Sequence, residues 1–383
     1  MKLAINLALS LVMLALCLWL VWPNEHGRAA LSTTLDTLDW ARFVPYLLGF
    51  YGWLAVVHVC RSWRWNYLLA PLGVRIPFGR MLAVSSAGFA AILLLPARLG
   101  EFVRPALIRK KGEVTASSAL GTVFVERVGD GVVVSLLVVG CFIALKRPDS
   151  PSWMMPTAYL ALLGFSVVMG FLAFALWRPD GTVRFATSVT LLRRFAPRAA
   201  AKVEAKLLEL IRGFAVLKDH RNIAKFAAWS AVYWIANGLA TWLLARGLGL
   251  PLSMTGAFAT MGLVAVGISL PNSPGLVGQF QWLTMLGVSL DLGSGVLDGT
   301  SPYYGRLLTY AIFIHGLQVV WYVGAGLIAI ATPHVSFAEV WRARKLAPEA
   351  PASEARTDAA SPLPQARVVG GGRDVDAAPG ERP

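Results

Sequence analysis

From residue 247 to residue 290 the chain runs for 44 positions without one Asp, Glu, Lys or Arg. Soluble domains carry about a quarter charged residues, so a run of this length has no place on a soluble surface. Two further blocks, 153–177 and 226–245, are also free of charge. Each matches the ~20 apolar residues that carry a helix across a bilayer. None alternates apolar and polar positions as the ~10-residue strands of a membrane barrel do. The expected fold class is an all-α membrane protein, a polytopic helical bundle.

Apolar blocks at 3–22, 43–60, 116–145, 153–177, 226–245 and 307–331 give about six full spans. The first is longer than the core of a signal peptide and reads as a retained anchor. With 56% hydrophobic and 15% charged residues, the chain has no room for a soluble catalytic domain.

The net charge of +14 would suggest nucleic acid in a soluble protein. Here the charge is gathered into loops, and the positive-inside rule accounts for it without a nucleic-acid partner. The segment 61–80 carries Arg61, Arg64, Arg75 and Arg80 and no acid; 178–225 carries eleven Lys or Arg against four acids. Both read as cytoplasmic. The segments 23–42 and 291–306 are each net −1 and read as external. The expected location is a bacterial inner membrane, with both chain ends cytoplasmic. Residues 1–335 read as one membrane domain and 336–383 as a cytoplasmic, mostly disordered tail.

Two stretches fit no simple span. If 81–97 crossed fully, Arg109, Lys110 and Lys111 would face outside, against the charge rule. A re-entrant hairpin turning near Pro96–Gly100 returns them to the cytoplasm. The stretch 252–290 breaks at Pro271-Asn272-Ser273-Pro274-Gly275 and suits a second hairpin from the opposite face. Ordinary Pro-kinked spans in both places are the alternative. In 199–217, Leu207, Leu208, Leu210, Ile211, Phe214 and Leu217 recur at helical spacing. That helix lies either on the inner membrane surface or against its own bundle.

Charges inside apolar blocks are costly and default to functional candidates. Arg98, Glu101 and Arg104 are spaced three apart at the first expected turn and share a helical face. Glu126, Arg127 and Asp130 lie inside the third span, with Glu126 and Asp130 on one face. Arg98 and Arg104 are their natural partners, and arginine's planar fork also suits phosphate. These charges form a structural ion-pair network, combine that role with headgroup contact, or transfer protons through Glu101, Glu126 or Asp130. At the second break Ser273 is a fit N-cap and Pro274 a fit first helical residue. A half-helix starting there would present free amides to an anion. His58 and His315 read as hydrogen-bonded bundle residues, and Arg61-Ser62-Trp63-Arg64-Trp65 as interfacial-belt chemistry. Cys17, Cys60 and Cys141 have no metal-ligand spacing, and no nucleotide or catalytic motif occurs. No cofactor or metal is expected.

Three ordered motifs carry a resemblance. Leu95-Pro96-Ala97-Arg98-Leu99-Gly100-Glu101 with Arg104, then Glu126-Arg127-Val128-Gly129-Asp130, then Pro271-x-x-Pro274-Gly275-x-x-Gly278-x-Phe280 resemble the lysylphosphatidylglycerol synthase transmembrane-region family, also called flippase-like domain proteins. The Arg61–Trp65 run is similar to it as well. The resemblance spans about 1–335. It implies a lipid translocase. The namesake's cytoplasmic synthase domain is expected to be lacking, so aminoacyl transfer is not carried over. Many members have an acidic residue where this chain has Gln281, which weakens a proton-coupled role there. The leading expectation is movement of a lipid with an anionic or glycosylated headgroup, bound by Arg98, Glu101, Arg104, Glu126, Arg127, Asp130, Asn272, Ser273, Pro274, Gly275 and Gln281. The alternatives are a scaffold for a membrane-associated glycosyltransferase, docked through 178–225, and an intramembrane lipid-modifying enzyme using Glu126 or Asp130.

Overall fold

The computed structural model describes residues 25–94, 100–108, 114–148, 150–189, 197–269 and 273–343. The expected span 3–22, the tail beyond 343, the Arg109-Lys110-Lys111 run, Arg98 and Asn272 lie outside the described residues. The described elements are all helical. In chain order they are α1 (Glu25–Asp36), α2 (Trp40–Trp63), α3 (Trp65–Leu69), α4 (Phe78–Leu94), α5 (Val103–Ile108), α6 (Ala116–Leu145), α7 (Met154–Trp177), α8 (Pro179–Val189), α9 (Pro197–Arg212), α10 (His220–Gly247), α11 (Met254–Gly267), α12 (Gln279–Leu292), α13 (Tyr304–Ile330) and α14 (Phe337–Ala343).

The helix starts follow capping chemistry. The Asp39 carboxylate accepts from the Arg42 amide at 3.1 Å, Thr115 Oγ1 from the Ser118 amide at 3.1 Å, and Ser253 Oγ from the Gly256 amide at 2.9 Å. Asp219 accepts from the Asn222 amide at 3.0 Å, which starts α10 six residues before the expected 226. These hydrogen bonds hold the exposed Asp219 carboxyl below its ordinary pKa.

Among the described residues, four helices are long and apolar enough to cross a membrane: the α2–α3 stretch Trp40–Leu72, then α6, α7 and α13. α10 is long enough at 28 residues, but Trp, Asn, Ser and Thr keep it more polar. α7 shows the lipid-facing pattern most clearly, with Leu160, Leu163, Val167 and Phe171 all exposed. The protein is an all-α, polytopic membrane protein.

Both odd stretches fold back on themselves. A Cβ on Gly88 of α4 would overlap the Arg104 side chain of α5, and one on Gly100 would overlap the backbone of Ala91 and Ile92. The short return limb therefore lies against α4. α11 and α12 pair in the same way, since a Cβ on Gly267 would strike Leu283 and one on Gly256 would strike Asp291. Each of these two helices has 14 residues, about 21 Å at 1.5 Å per residue. That is shorter than a ~30 Å hydrocarbon core.

The helix of the 178–225 loop packs on its own bundle. Leu207, Leu208 and Leu210 of α9 join the apolar cluster around Val123 and Phe214. The contact is backbone to backbone: a Cβ on Gly121 would overlap the Leu210 carbonyl, and one on Gly213 the Ser118 carbonyl.

The core is two apolar clusters with a polar layer between them. One holds Phe50, Val57, Val134, Phe142 and Tyr310; the other holds Trp65, Val84, Val125, Ile211 and Phe226. On α6 the change falls between Val128 and Val134, and on α10 between Phe226 and Tyr233. Asp130 and Ser230 sit in those gaps.

Candidate functional site

The layer is built around a guanidinium. Arg64 sits between α2 and α3 in helical conformation, with no exposed surface. One Nη donates to Asp130 Oδ1 at 2.7 Å and to Ser230 Oγ at 2.9 Å. The other donates to Asp130 Oδ2 and, at 3.2 Å, to Glu126 Oε1. Tyr233 and Phe226 face the same cation, 4.5 and 5.2 Å from its carbon to the ring centres. A bidentate carboxylate pair with its lone pairs shared out is the arrangement that makes a buried charge tolerable.

The four-residue spacing of Glu126 and Asp130 puts both carboxylates on the face that Arg64 reaches. Glu126 is 0% exposed and bridges two arginines, since its second oxygen accepts from Arg104 at 3.1 Å. Arg104 is 1% exposed and lies over the Trp65 ring at 4.3 Å. Gly88 leaves the space its chain occupies. Arg127, also on α6, donates through Nε to Glu101 at 3.2 Å.

Glu101, Arg104, Glu126, Arg127 and Asp130 thus converge, in two separate pairings. The sequence assigns Arg64 to interfacial-belt chemistry at a span end and not to the site. The correction is that the helix of α2 runs on through Arg64 into α3, carrying the side chain inward. The available signal was Arg61 and Arg64 one turn apart between tryptophans, with no acid nearby to pair them.

Beside this layer lies a cavity of about 220 Å³. Arg61, Glu101, Arg127 and Asp130 line one part of it. The rest is mixed: apolar side chains such as Phe89, Met261, Val264 and Ile314 alternate with neutral polar ones from α10, α11, α12 and α13, and Ser273, Gly275 and Leu276 close it at the second break. Arg104 and Glu126 are not among its walls.

The second break departs from expectation. Ser273 does not cap a helix; its hydroxyl donates to the Val277 carbonyl at 2.6 Å. Pro274–Leu276 is a single 3-10 turn, and Gly275, Leu276 and Gly278 all have positive φ. Such a backbone cannot continue a right-handed helix, so α12 begins at Gln279. Gln281 ties the turn down. Its Oε1 accepts from the Gly278 amide at 2.8 Å, and its amide nitrogen lies 2.8 Å from His315 Nδ1. His315 Nε2 lies 3.0 Å from the Gly275 carbonyl, which can only accept. The proton of His315 therefore sits on Nε2, and Nδ1 accepts from Gln281. His58 is bonded as expected, between Ser86 Oγ at 2.8 Å and the Trp321 indole at 3.3 Å.

The model of the lysylphosphatidylglycerol synthase TM region matches residues 4–300. No curated protein and no solved structure matches the chain. The family match takes in both folded-back hairpins, the arginine–carboxylate layer and most of the cavity wall. The chain belongs to the lysylphosphatidylglycerol synthase TM region family.

Proposed function

We propose that the protein moves a lipid with a phosphate-bearing or glycosylated headgroup across a bacterial inner membrane, headgroup in the cavity and acyl chains outside it. The observation that carries this reading is a charge-lined cavity inside an apolar bundle, walled by two folded-back helix pairs whose limbs are too short to cross. Opposed broken helices around a central site are a transporter arrangement. Irregular backbone at membrane depth survives where it lines such a cavity. In this reading both hairpins are re-entrant and both chain ends are cytoplasmic.

Glu101, Arg127 and Asp130 shape the headgroup path. Arg104 and Glu126 hold α5 to α6, and Ser273, Gly275 and Gln281 form the opposite gate. The scaffold alternative has less support, because the apolar face of α9 is taken up by α6.

The test is a leaflet-exchange assay with fluorescent phosphatidylglycerol in proteoliposomes, read by quenching from outside. Wild-type protein should expose inner-leaflet probe to the quencher, and Arg127→Gln should slow that exchange several-fold. Exchange no faster than in protein-free vesicles ends the reading.

A further inference from the structure

Arginines and carboxylates do not balance in the polar layer. Four arginines, Arg61, Arg64, Arg104 and Arg127, meet three carboxylates, Glu101, Glu126 and Asp130. Every carboxylate is engaged: Asp130 by Arg64, Glu126 by Arg64 and Arg104, Glu101 by Arg127. Arg61 makes no ion pair among the described residues. Its cation lies 4.0 Å above the Phe89 ring and hydrogen-bonds the Tyr322 hydroxyl, while its buried Nε has no hydrogen-bond acceptor. Nε and one Nη of Arg104 also lack acceptors. The layer is rich in donors and short of an acceptor-only group. A phosphate oxygen is such a group, and of the arginines with unmet donors, Arg61, Arg64 and Arg104, it is Arg61 that lines the cavity.

The rest of the cavity has another chemistry. From Tyr233 beside Arg64, its wall runs along α10 to Thr241, and from Tyr322 back along α13 to Ile314. Each path covers eight residues, about 12 Å at 1.5 Å per residue. The far part sets six uncharged polar residues, Asn237, Thr241, Thr260, Thr284, His315 and Gln318, among apolar ones such as Met261, Val264 and Ile314. The three threonine hydroxyls donate to their own helices, to the carbonyls of Asn237, Gly256 and Phe280. Their lone pairs are left to accept from a ligand hydroxyl. Trp234 also lines the cavity, is 8% exposed, and its indole N–H has no acceptor. No carboxylate stands at that end to receive an ammonium.

We infer that the cavity binds one ligand of two parts: a phosphate held by Arg61, and a neutral polyhydroxyl group, a sugar or polyol, held between Trp234 and the threonine hydroxyls. This rests on the translocase reading only for the ligand being a lipid. A cationic headgroup is excluded by the excess of arginine and by the engaged carboxylates.

The test uses full-length protein in a polyoxyethylene detergent, which carries no sugar. Thermal unfolding midpoints are read against dihexanoyl phosphatidylinositol, dihexanoyl phosphatidylcholine, free inositol 1-phosphate and octyl glucoside. The inositol lipid should raise the midpoint saturably, and the choline lipid and the glucoside should not. Arg61→Gln should weaken the response about tenfold or more, as loss of a charged hydrogen bond does. Gln318→Leu, which leaves every arginine in place, should remove the preference for inositol lipid over dihexanoyl phosphatidic acid. An equal response to free inositol 1-phosphate supports the ligand chemistry and assigns it a soluble source. A choline-lipid response as large as the inositol one overturns the inference, as does an unchanged response in both variants. Binding with no leaflet exchange would sink the translocase reading alone; exchange with no such binding would sink this one alone.

Discussion

Arg64 holds both carboxylate oxygens of Asp130, a residue 66 positions further along the chain. Removing one member leaves a buried charge without its closest partner. Arg64→Gln or Asp130→Asn alone should lower stability by about 3–5 kcal/mol. The double variant should lose clearly less than the sum of the two. Thermal unfolding in detergent of the four proteins in that cycle measures it, and simple additivity would show the pair to be uncoupled.

Two glycines of α6 should respond in opposite directions to alanine. Gly121 faces the Leu210 carbonyl and the Gly213 backbone, which cannot yield as a side chain can. Gly121→Ala should cost about 1–3 kcal/mol and open the 197–218 segment to trypsin. Gly140 has open space around it, and alanine there should be neutral or add up to about 1 kcal/mol through helix propensity. Limited proteolysis and melting of both variants decide the matter.

Residues 80 and 116 flank the first folded-back stretch. If α4 and its return limb enter and leave one face of the membrane, single cysteines at both positions should react with an impermeant maleimide from the same side. Labelling of the two from opposite sides would mean a full crossing.

The Gln281–His315 contact sets a pH sign. The amide can donate to Nδ1 only while that nitrogen is unprotonated, so protonation of His315 places two donors face to face. The wild-type turn should loosen as pH falls. Gln281→Glu replaces the donor with an acceptor, and the pair must take up a proton to bond again. That variant should be firmer in acid and lose the gain as pH rises. Melting profiles between about pH 5 and 8, where histidine switches charge, should slope oppositely.

The helices were legible because charge-free blocks of membrane length have one stable fate. The Glu126–Asp130 face was legible because a four-residue spacing inside an apolar block is geometric information. Arg64 was not, because charge counting sees which residues are basic and not how far a helix carries them inward. The start of α12 was misplaced for a local reason. Ser273-Pro274 has the composition of a helix start, but Leu276, a branched residue, takes a positive φ and breaks the helix there. Residue type alone does not forecast that conformation.

The arginines and carboxylates described in the dividing layer all come from positions 61 to 130, and the later residues that join it, Phe226, Ser230 and Tyr233, carry no charge. During synthesis, the costly groups can therefore neutralise one another before the second half of the protein has left the ribosome. The later helices then insert around a seam already closed, and no stranded charge has to wait in lipid for a partner not yet made.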